Sequence, residues 1–170
     1  VRVNQLLFSD ARTDLFVTVF YAVWDPATGM VSYASAGHNA PLYLRAADRQ
    51  IVELECDGIA LGVLREIELE ERQITMQPGD TLIAYTDGVT EAMLPDYTEW
   101  GMRRFRTAVL EAAGEDAQAA LDYILTEVER FVGGAAQSDD LTLWVLRRRP
   151  VQDQKRGDDD GHPAEEPPEH

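Results

Sequence analysis

The stretch QPGDTLIAYTDGVTEA, residues 77–92, decides how the rest of the chain is read. Pro78, Gly79 and Asp80 make a turn signal, and residues 81–85 form a short, mostly apolar run suited to a pleated surface, which predicts a turn leading into a buried strand. Asp87 then falls at the strand's end. Gly88 beside it lets the backbone turn sharply and leaves room for a ligand to come close. A carboxylate held on a rigid strand end beside a small residue can place a hard cation or a proton-transfer group. Taken alone, a T-D-G triplet is also an ordinary strand-terminating turn.

A second acidic site downstream shifts that balance. Residues 137–142 read QSDDLT, and the run 141–146 behind them is almost wholly apolar and short enough for an interior strand. Packing explains two adjacent carboxylates at the entrance to such a strand poorly. Neighbouring strand residues point to opposite faces, so one of Asp139 and Asp140 faces any given site while the other caps, supports or is solvated. If the strands carrying Asp87 and Asp139 are neighbours, like charges gather there, which is unfavourable unless a cation neutralises them.

The 170 residues, 45% of them hydrophobic, provide for one domain with a proper core. No apolar run approaches membrane-spanning length. Val1 is neither a start methionine nor the beginning of a signal segment, so the chain is read as a piece of something longer. The net charge is −16. Residues 150–170 hold seven acidic residues against Lys155 and Arg156, a net of −5, which leaves −11 on residues 1–149. Such a surface disfavours nucleic acid, whose phosphates draw on clustered lysine and arginine. The one tight basic run, Arg147 to Arg149, reads as a solvated strand end. Cys56 is the single cysteine, so an intrachain disulfide and a thiolate zinc site are both excluded. It reads as a small packing residue in a reducing, cytoplasmic setting.

In chain order, Val3, Leu6 and Leu7 fit the end of a helix. Residues 15–24 and 30–36 flank a turn at Asp25, Pro26, Thr28 and Gly29 and predict a hairpin. Gly37, His38, Asn39 and Pro41 break the pattern before strands at 42–44 and 51–54, a loop at 58–62 and an alternating strand over 66–76. Two helices follow. Met102, Phe105, Val109 and Leu110 mark one, stopped by Gly114; Leu121, Ile124, Leu125, Val128, Phe131 and Val132 mark the other, opened by Glu115 and Asp116 and closed by Gly133 and Gly134. Residues 150–170 cannot bury enough surface to offset their ordering entropy and read as a disordered acidic tail behind a domain over 1–149. His162 and His170 belong to that tail, which leaves His38 as the histidine of the folded part. A lone histidine is more often a satisfied loop residue than a catalyst, although Gly37 and Asn39 make its loop one that a substrate can approach. Many strands first, two late helices and one returning strand argue for an α+β layered domain.

Five segments taken in order carry a resemblance: FVTVFYAVWD (16–25), YASAGHNAPLYL (33–44), GIALGV (58–63), PGDTLIAYTDGVTEA (78–92) and QSDDLTLWVL (137–146). Together they resemble the metal-dependent protein phosphatase superfamily related to the type 2C phosphatases, in its bacterial SpoIIE-like or RsbU-like branch. The resemblance implies an α-β-β-α sandwich of two antiparallel sheets flanked by helices, with two Mn²⁺ or Mg²⁺ ions at one edge. It makes Asp87 and Asp139 metal ligands and catalytic, with Asp140 a weaker ligand candidate. Gly37, His38, Asn39 and Gly88 become substrate-proximal, and residues 88–92 match a segment coupled to activation by neighbouring domains.

The expected activity is hydrolysis of phosphoserine or phosphothreonine on a regulatory protein, a STAS-type anti-sigma-factor antagonist by resemblance. An upstream sensory domain is expected in the parent, and a homodimer is left open. The chemistry agrees with the residues: oxygen ligands select Mg²⁺ or Mn²⁺, and metal-activated water needs no cysteine, serine or histidine nucleophile. One departure stands out. The family's early G-G-D-x-x-D element has no counterpart here, since Ser9, Asp10 and Asp14 lack its glycines and strand flanks. The expectation is that the first strand or strands are missing and that this fragment is inactive alone. A non-catalytic pseudophosphatase serving as a binding module is the alternative, and the residues encoded just upstream of Val1 discriminate the two. A third, weaker alternative is a different two-metal phosphohydrolase or nuclease, nucleic acid being disfavoured by the acidic surface.

Overall fold

The computed structural model describes residues 2–9, 15–134 and 140–149. Asp139 and the tail 150–170 lie outside the described residues. Four helices of eight or more residues or a single turn, and seven strands, follow one another: α1 (Arg2–Ser9), β1 (Val19–Trp24), β2 (Met30–Ala36), β3 (Leu42–Arg45), β4 (Gln50–Glu53), β5 (Arg72–Thr75), β6 (Thr81–Tyr85), the one-turn α2 (Asp87–Thr90), α3 (Gly101–Glu111), α4 (Ala117–Val132) and β7 (Leu143–Arg147). The strands form two sheets, ordered β1-β2-β5 and β4-β3-β6-β7, and every pairing is antiparallel.

Side-chain alternation builds the layers. Val31, Tyr33 and Met76 from the first sheet meet Tyr43 and Leu82 from the second, forming a core between the sheets. The intervening residues Leu42, Leu44, Ile83 and Tyr85 point the other way, against Phe105, Val109, Ile124 and Val128 of α3 and α4. The four-stranded sheet is therefore covered on both faces. That is why β6 reads as a continuous apolar run, TLIAY, without polar alternation. The α+β sandwich expected from the sequence is the fold observed. Among the described residues no helix covers the outer face of the three-stranded sheet, where Tyr21 and Val23 are exposed.

The helix boundaries follow local chemistry. Asp116 caps α4, its Oδ1 accepting the Ala119 N–H at 2.8 Å, and Gly133 closes the helix in the left-handed region at φ 63°. Cys56 packs beside the inter-sheet core and donates to the Glu70 carbonyl at 3.0 Å, consistent with a packing role. Among the described residues no helix is long and apolar enough to cross a membrane.

Two local readings change, and α1 adds a detail of its own. The strand expected over 66–76 is confined to Arg72–Thr75, because only this part pairs with β2, from Met30↔Thr75 to Tyr33↔Arg72; the charged residues before it have no partner strand. The apolar run 141–146 was expected to be interior. Its strand, β7, is instead the edge of the four-stranded sheet among the described residues, with Trp144 50% exposed while Leu146 still packs against the core between the sheets. In α1 the buried residue is Asn4, 1% exposed, while Val3 and Leu6 face outward. The Asn4 amide donates to the Leu64 and Arg65 carbonyls at 3.0 and 3.1 Å and accepts the Gly62 N–H at 2.8 Å, so α1 is held by polar bonds to the 62–65 loop.

Candidate metal and phosphoester site

β6 ends at Tyr85, and the backbone turns at once into α2. Thr86 stands at the N-cap in extended conformation, and Asp87 is the first helical residue. Beyond Tyr85↔Leu143, the last rung of the β6–β7 ladder, Thr86 extends the contact. Its N–H donates to the Thr142 carbonyl at 3.0 Å, its hydroxyl donates to the Asp140 carbonyl at 3.0 Å, and the same hydroxyl accepts the Thr142 N–H at 2.9 Å. Gly88 closes the junction, for a Cβ built there would lie 2.5 Å from the Asp140 carbonyl oxygen, nearer than any side chain can approach backbone. Glycine is required here by the closeness of two chain segments rather than by a turn. The T-D-G segment and residues 140–142, separated by more than fifty residues, are thus clamped together.

The Asp87 side chain is exposed. Its Oδ1 accepts its neighbour Gly88's N–H at 3.1 Å, and its main-chain carbonyl accepts the Glu91 N–H at 2.8 Å and the Thr90 hydroxyl at 3.1 Å. None of the ion pairs among the described residues involves Asp87; those of Arg45, Arg72, Arg106 and Arg130 lie elsewhere. The two bonds to its own carbonyl fix the Asp87 backbone while most of the carboxylate's lone pairs remain uncommitted, which suits a hard cation. Tyr85, immediately before it, is buried against Phe105 with ring centroids 4.8 Å apart, and burial pushes its hydroxyl pKa up.

Register brings a third segment to the same end. Leu42 pairs with Ile83, so the 37–41 loop preceding β3 lies beyond the same end of the sheet as Thr86 and Asp87. His38 Nδ1 contacts the Thr18 hydroxyl at 3.2 Å, and the Ser35 hydroxyl accepts the His38 N–H at 3.3 Å. The 58–62 loop packs underneath: a Cβ on Gly58 would fall 2.0 Å from the Ser35 carbonyl oxygen, and Leu61 bridges Val17. Gly37, His38 and Asn39 are therefore at the Asp87 end, with His38 tied to Thr18 and to Ser35 of β2. Among the described residues no three His, Cys, Asp or Glu side chains assemble as a ligand set. Thr86 and Asn4 escaped the sequence reading. Thr86 stood inside the T-D-G motif as a hydroxyl at a helix cap, a signal that was there to use; Asn4 looked like any of the polar residues of α1, RVNQLLFS.

The matched family model is Stage II sporulation protein E (SpoIIE), and it covers residues 1–149. The chain belongs to the SpoIIE family. Protein IcfG of Synechocystis is 31% identical over 134 residues, 79% of this chain and 21% of that protein. The phosphoserine phosphatase RsbU of Bacillus subtilis is 28% identical over 149 residues, 86% of this chain and 43% of its own. The chain thus spans less than half the length of these relatives. Among solved structures, the manganese-presoaked phosphatase domain of SpoIIE from Bacillus subtilis superposes with a TM-score of 0.66 at 20% identity, over 89% of this chain and 64% of that one. Its type 2C phosphatase fold is the sandwich described above. This SpoIIE-family chain thus has the fold and branch that its five motifs resemble.

Proposed function

We propose that the intact protein is a metal-dependent protein phosphatase that hydrolyses phosphoserine or phosphothreonine on a regulatory protein, a STAS-type anti-sigma-factor antagonist being the expected substrate, in the cytoplasm and under the control of an upstream domain. The observation that carries this reading is the clamp between the Asp87 turn and the Asp140 segment, with Gly88 against the Asp140 carbonyl. Asp87 and Asp139 would hold Mn²⁺ or Mg²⁺, two ions being expected, with Asp140 alongside. The fit is chemical: carboxylate oxygens on a fixed backbone are the donors such ions prefer over softer ligands. When bound, the ions would acidify water and neutralise charge on the transferring phosphoryl group.

The chain's own contribution is positional. Thr86 locks the two acidic segments in register, and α2 holds Asp87 at a fixed height above the sheet. Gly37, His38 and Asn39 form the wall on which the phosphorylated segment would rest. Support also comes from the phosphoserine phosphatase RsbU and from two solved relatives, the manganese-presoaked SpoIIE phosphatase domain and RsbX in complex with magnesium.

The test is an assay on the parent protein, extended upstream of Val1, with phosphoserine protein and Mn²⁺. Phosphate release that needs Mn²⁺ and vanishes with chelator supports the reading. Release from DNA but not from phosphoprotein replaces it with a nuclease. Binding of the phosphoprotein without release replaces it with a non-catalytic binding module.

A further inference from the structure

After α2 the chain makes a small hairpin before entering α3. Trp100 N–H donates to the Ala92 carbonyl at 2.7 Å at its base, and Met93 bridges Glu99 above. Leu94 N–H donates to the Thr98 carbonyl at 3.0 Å, and Tyr97 N–H donates back to the Leu94 carbonyl at 2.9 Å. These bonds close the three-residue loop Pro95, Asp96, Tyr97. Pro95 suits the second position of such a turn, and the Asp96 carboxylate accepts the Thr98 N–H at 3.0 Å, which holds its pKa below the usual carboxylate value.

The last loop residue must be left-handed, and Tyr97 has φ 67°. Glycine is the residue that meets this demand without strain. A tyrosine there is costly, and packing returns nothing, because Tyr97 is 84% exposed. The fold therefore does not account for this side chain, and strain of this kind is typically retained for function. Glu91, Asp96 and Glu99 on the same excursion are also exposed, and Arg104 at its foot is committed to the Glu99 and Trp100 carbonyls and to the Phe131 ring. The protein as a whole carries −16. An exposed aromatic ring on a hairpin that also exposes Asp96 and Glu99, on an acidic protein, attracts arginine or lysine.

We propose that Tyr97 is a substrate-docking residue that receives an arginine flanking the phosphoserine of the protein substrate; this rests on the phosphatase reading above. Strand rise places the hairpin tip on the order of 10–15 Å from its base beside α2, so the docked arginine falls about three to five residues from the phosphoserine. The ring supplies a cation–π face, and Asp96 and Glu99 on the same hairpin add negative charge.

Two phosphoserine peptides of equal length test this with the full-length parent protein, one carrying arginine at three to five residues on either side and one carrying alanine there. The wild type is expected to prefer the arginine peptide about fivefold or more in kcat/KM, through KM. Tyr97→Gly is expected to cut that preference below about twofold with little change in kcat, and Tyr97→Phe to retain most of it. Equal kcat/KM for the two peptides in the wild type, or an undiminished preference in Tyr97→Gly, overturns the proposal. Fluorescence anisotropy of the same labelled peptides separates it from the catalytic reading. Arginine-selective binding that Tyr97→Gly abolishes, without phosphate release, upholds docking and rejects the phosphatase; unselective binding rejects docking.

Discussion

β6 is bracketed by two aspartates whose circumstances are opposite. Asp80, at its start, is 2% exposed and saturated: Oδ2 accepts the Tyr43 hydroxyl at 2.5 Å and the Gln77 N–H at 2.6 Å, and Oδ1 accepts the Ala46 N–H at 2.8 Å. Asp87, past its end, is exposed and accepts one bond from its own neighbour. A buried carboxylate must be hydrogen-bonded, so Asp80 is spent on joining β3, the 77–80 turn and the sandwich core. Asp87 is held by its backbone instead, and its carboxylate stays available. The same residue type on one strand thus serves stability at one end and chemistry at the other, and the difference lies in where the bonds are made.

The largest expected effect breaks the comparison at the chemical end. Asp87→Asn, and likewise Asp139→Asn, should lower Mn²⁺-dependent phosphatase kcat/KM of the parent protein on the order of 100-fold or more while the melting temperature moves little. Near-normal turnover in both variants would reject the ligand assignment. At the other end, Asp80→Ala orphans three donors and should cost about 3–5 kcal/mol in denaturant unfolding, with residual activity tracking the folded fraction. A stable Asp80→Ala protein would show that its bonds are incidental.

Gly88→Ala sharpens the contrast by disturbing position without removing a ligand. The new Cβ must displace the Asp140 carbonyl, so activity should fall about tenfold and stability by about 1–3 kcal/mol, read by assay and melting together. The smallest effect is Tyr43→Phe, about 1 kcal/mol at neutral pH. Burial, followed by the bond to Asp80, raises the Tyr43 hydroxyl pKa well above the usual tyrosine value. The folded state therefore keeps a proton that the unfolded chain releases above about pH 10, so stability falls as pH rises beyond that point. Tyr33 and Tyr85 are also raised by burial and contribute to this loss. Tyr43→Phe should show a shallower alkaline decline in melting temperature than the wild type.

Much of this was legible in the chain. Residues 81–85 lack polar alternation, which announced a strand covered on both sides, and the spacing of Phe105, Val109, Ile124 and Val128 announced the helices that cover it. Asp87 was marked by the turn that follows it. The fate of Asp80 was not legible, because a P-G-D turn reads as solvent-facing and its partners Tyr43 and Ala46 are over thirty residues away. The edge position of β7 and the shortened β5 were hidden for a related reason: strand pairing is decided by neighbours that local pattern does not name. Asn4 was missed because a buried amide cannot be told from a surface one until its carbonyl partners are located.

Periodicity, turn chemistry and the order of five motifs determined the layered fold, the family and the two acidic segments, since each rests on residues close together along the chain. Only the tertiary structure decided that the Asp87 and Asp140 segments touch through Gly88, that Asp80 is sealed, and that Tyr97 stands strained and uncovered. Those outcomes depend on which distant surfaces meet, and burial and hydrogen-bond satisfaction have no value until they do.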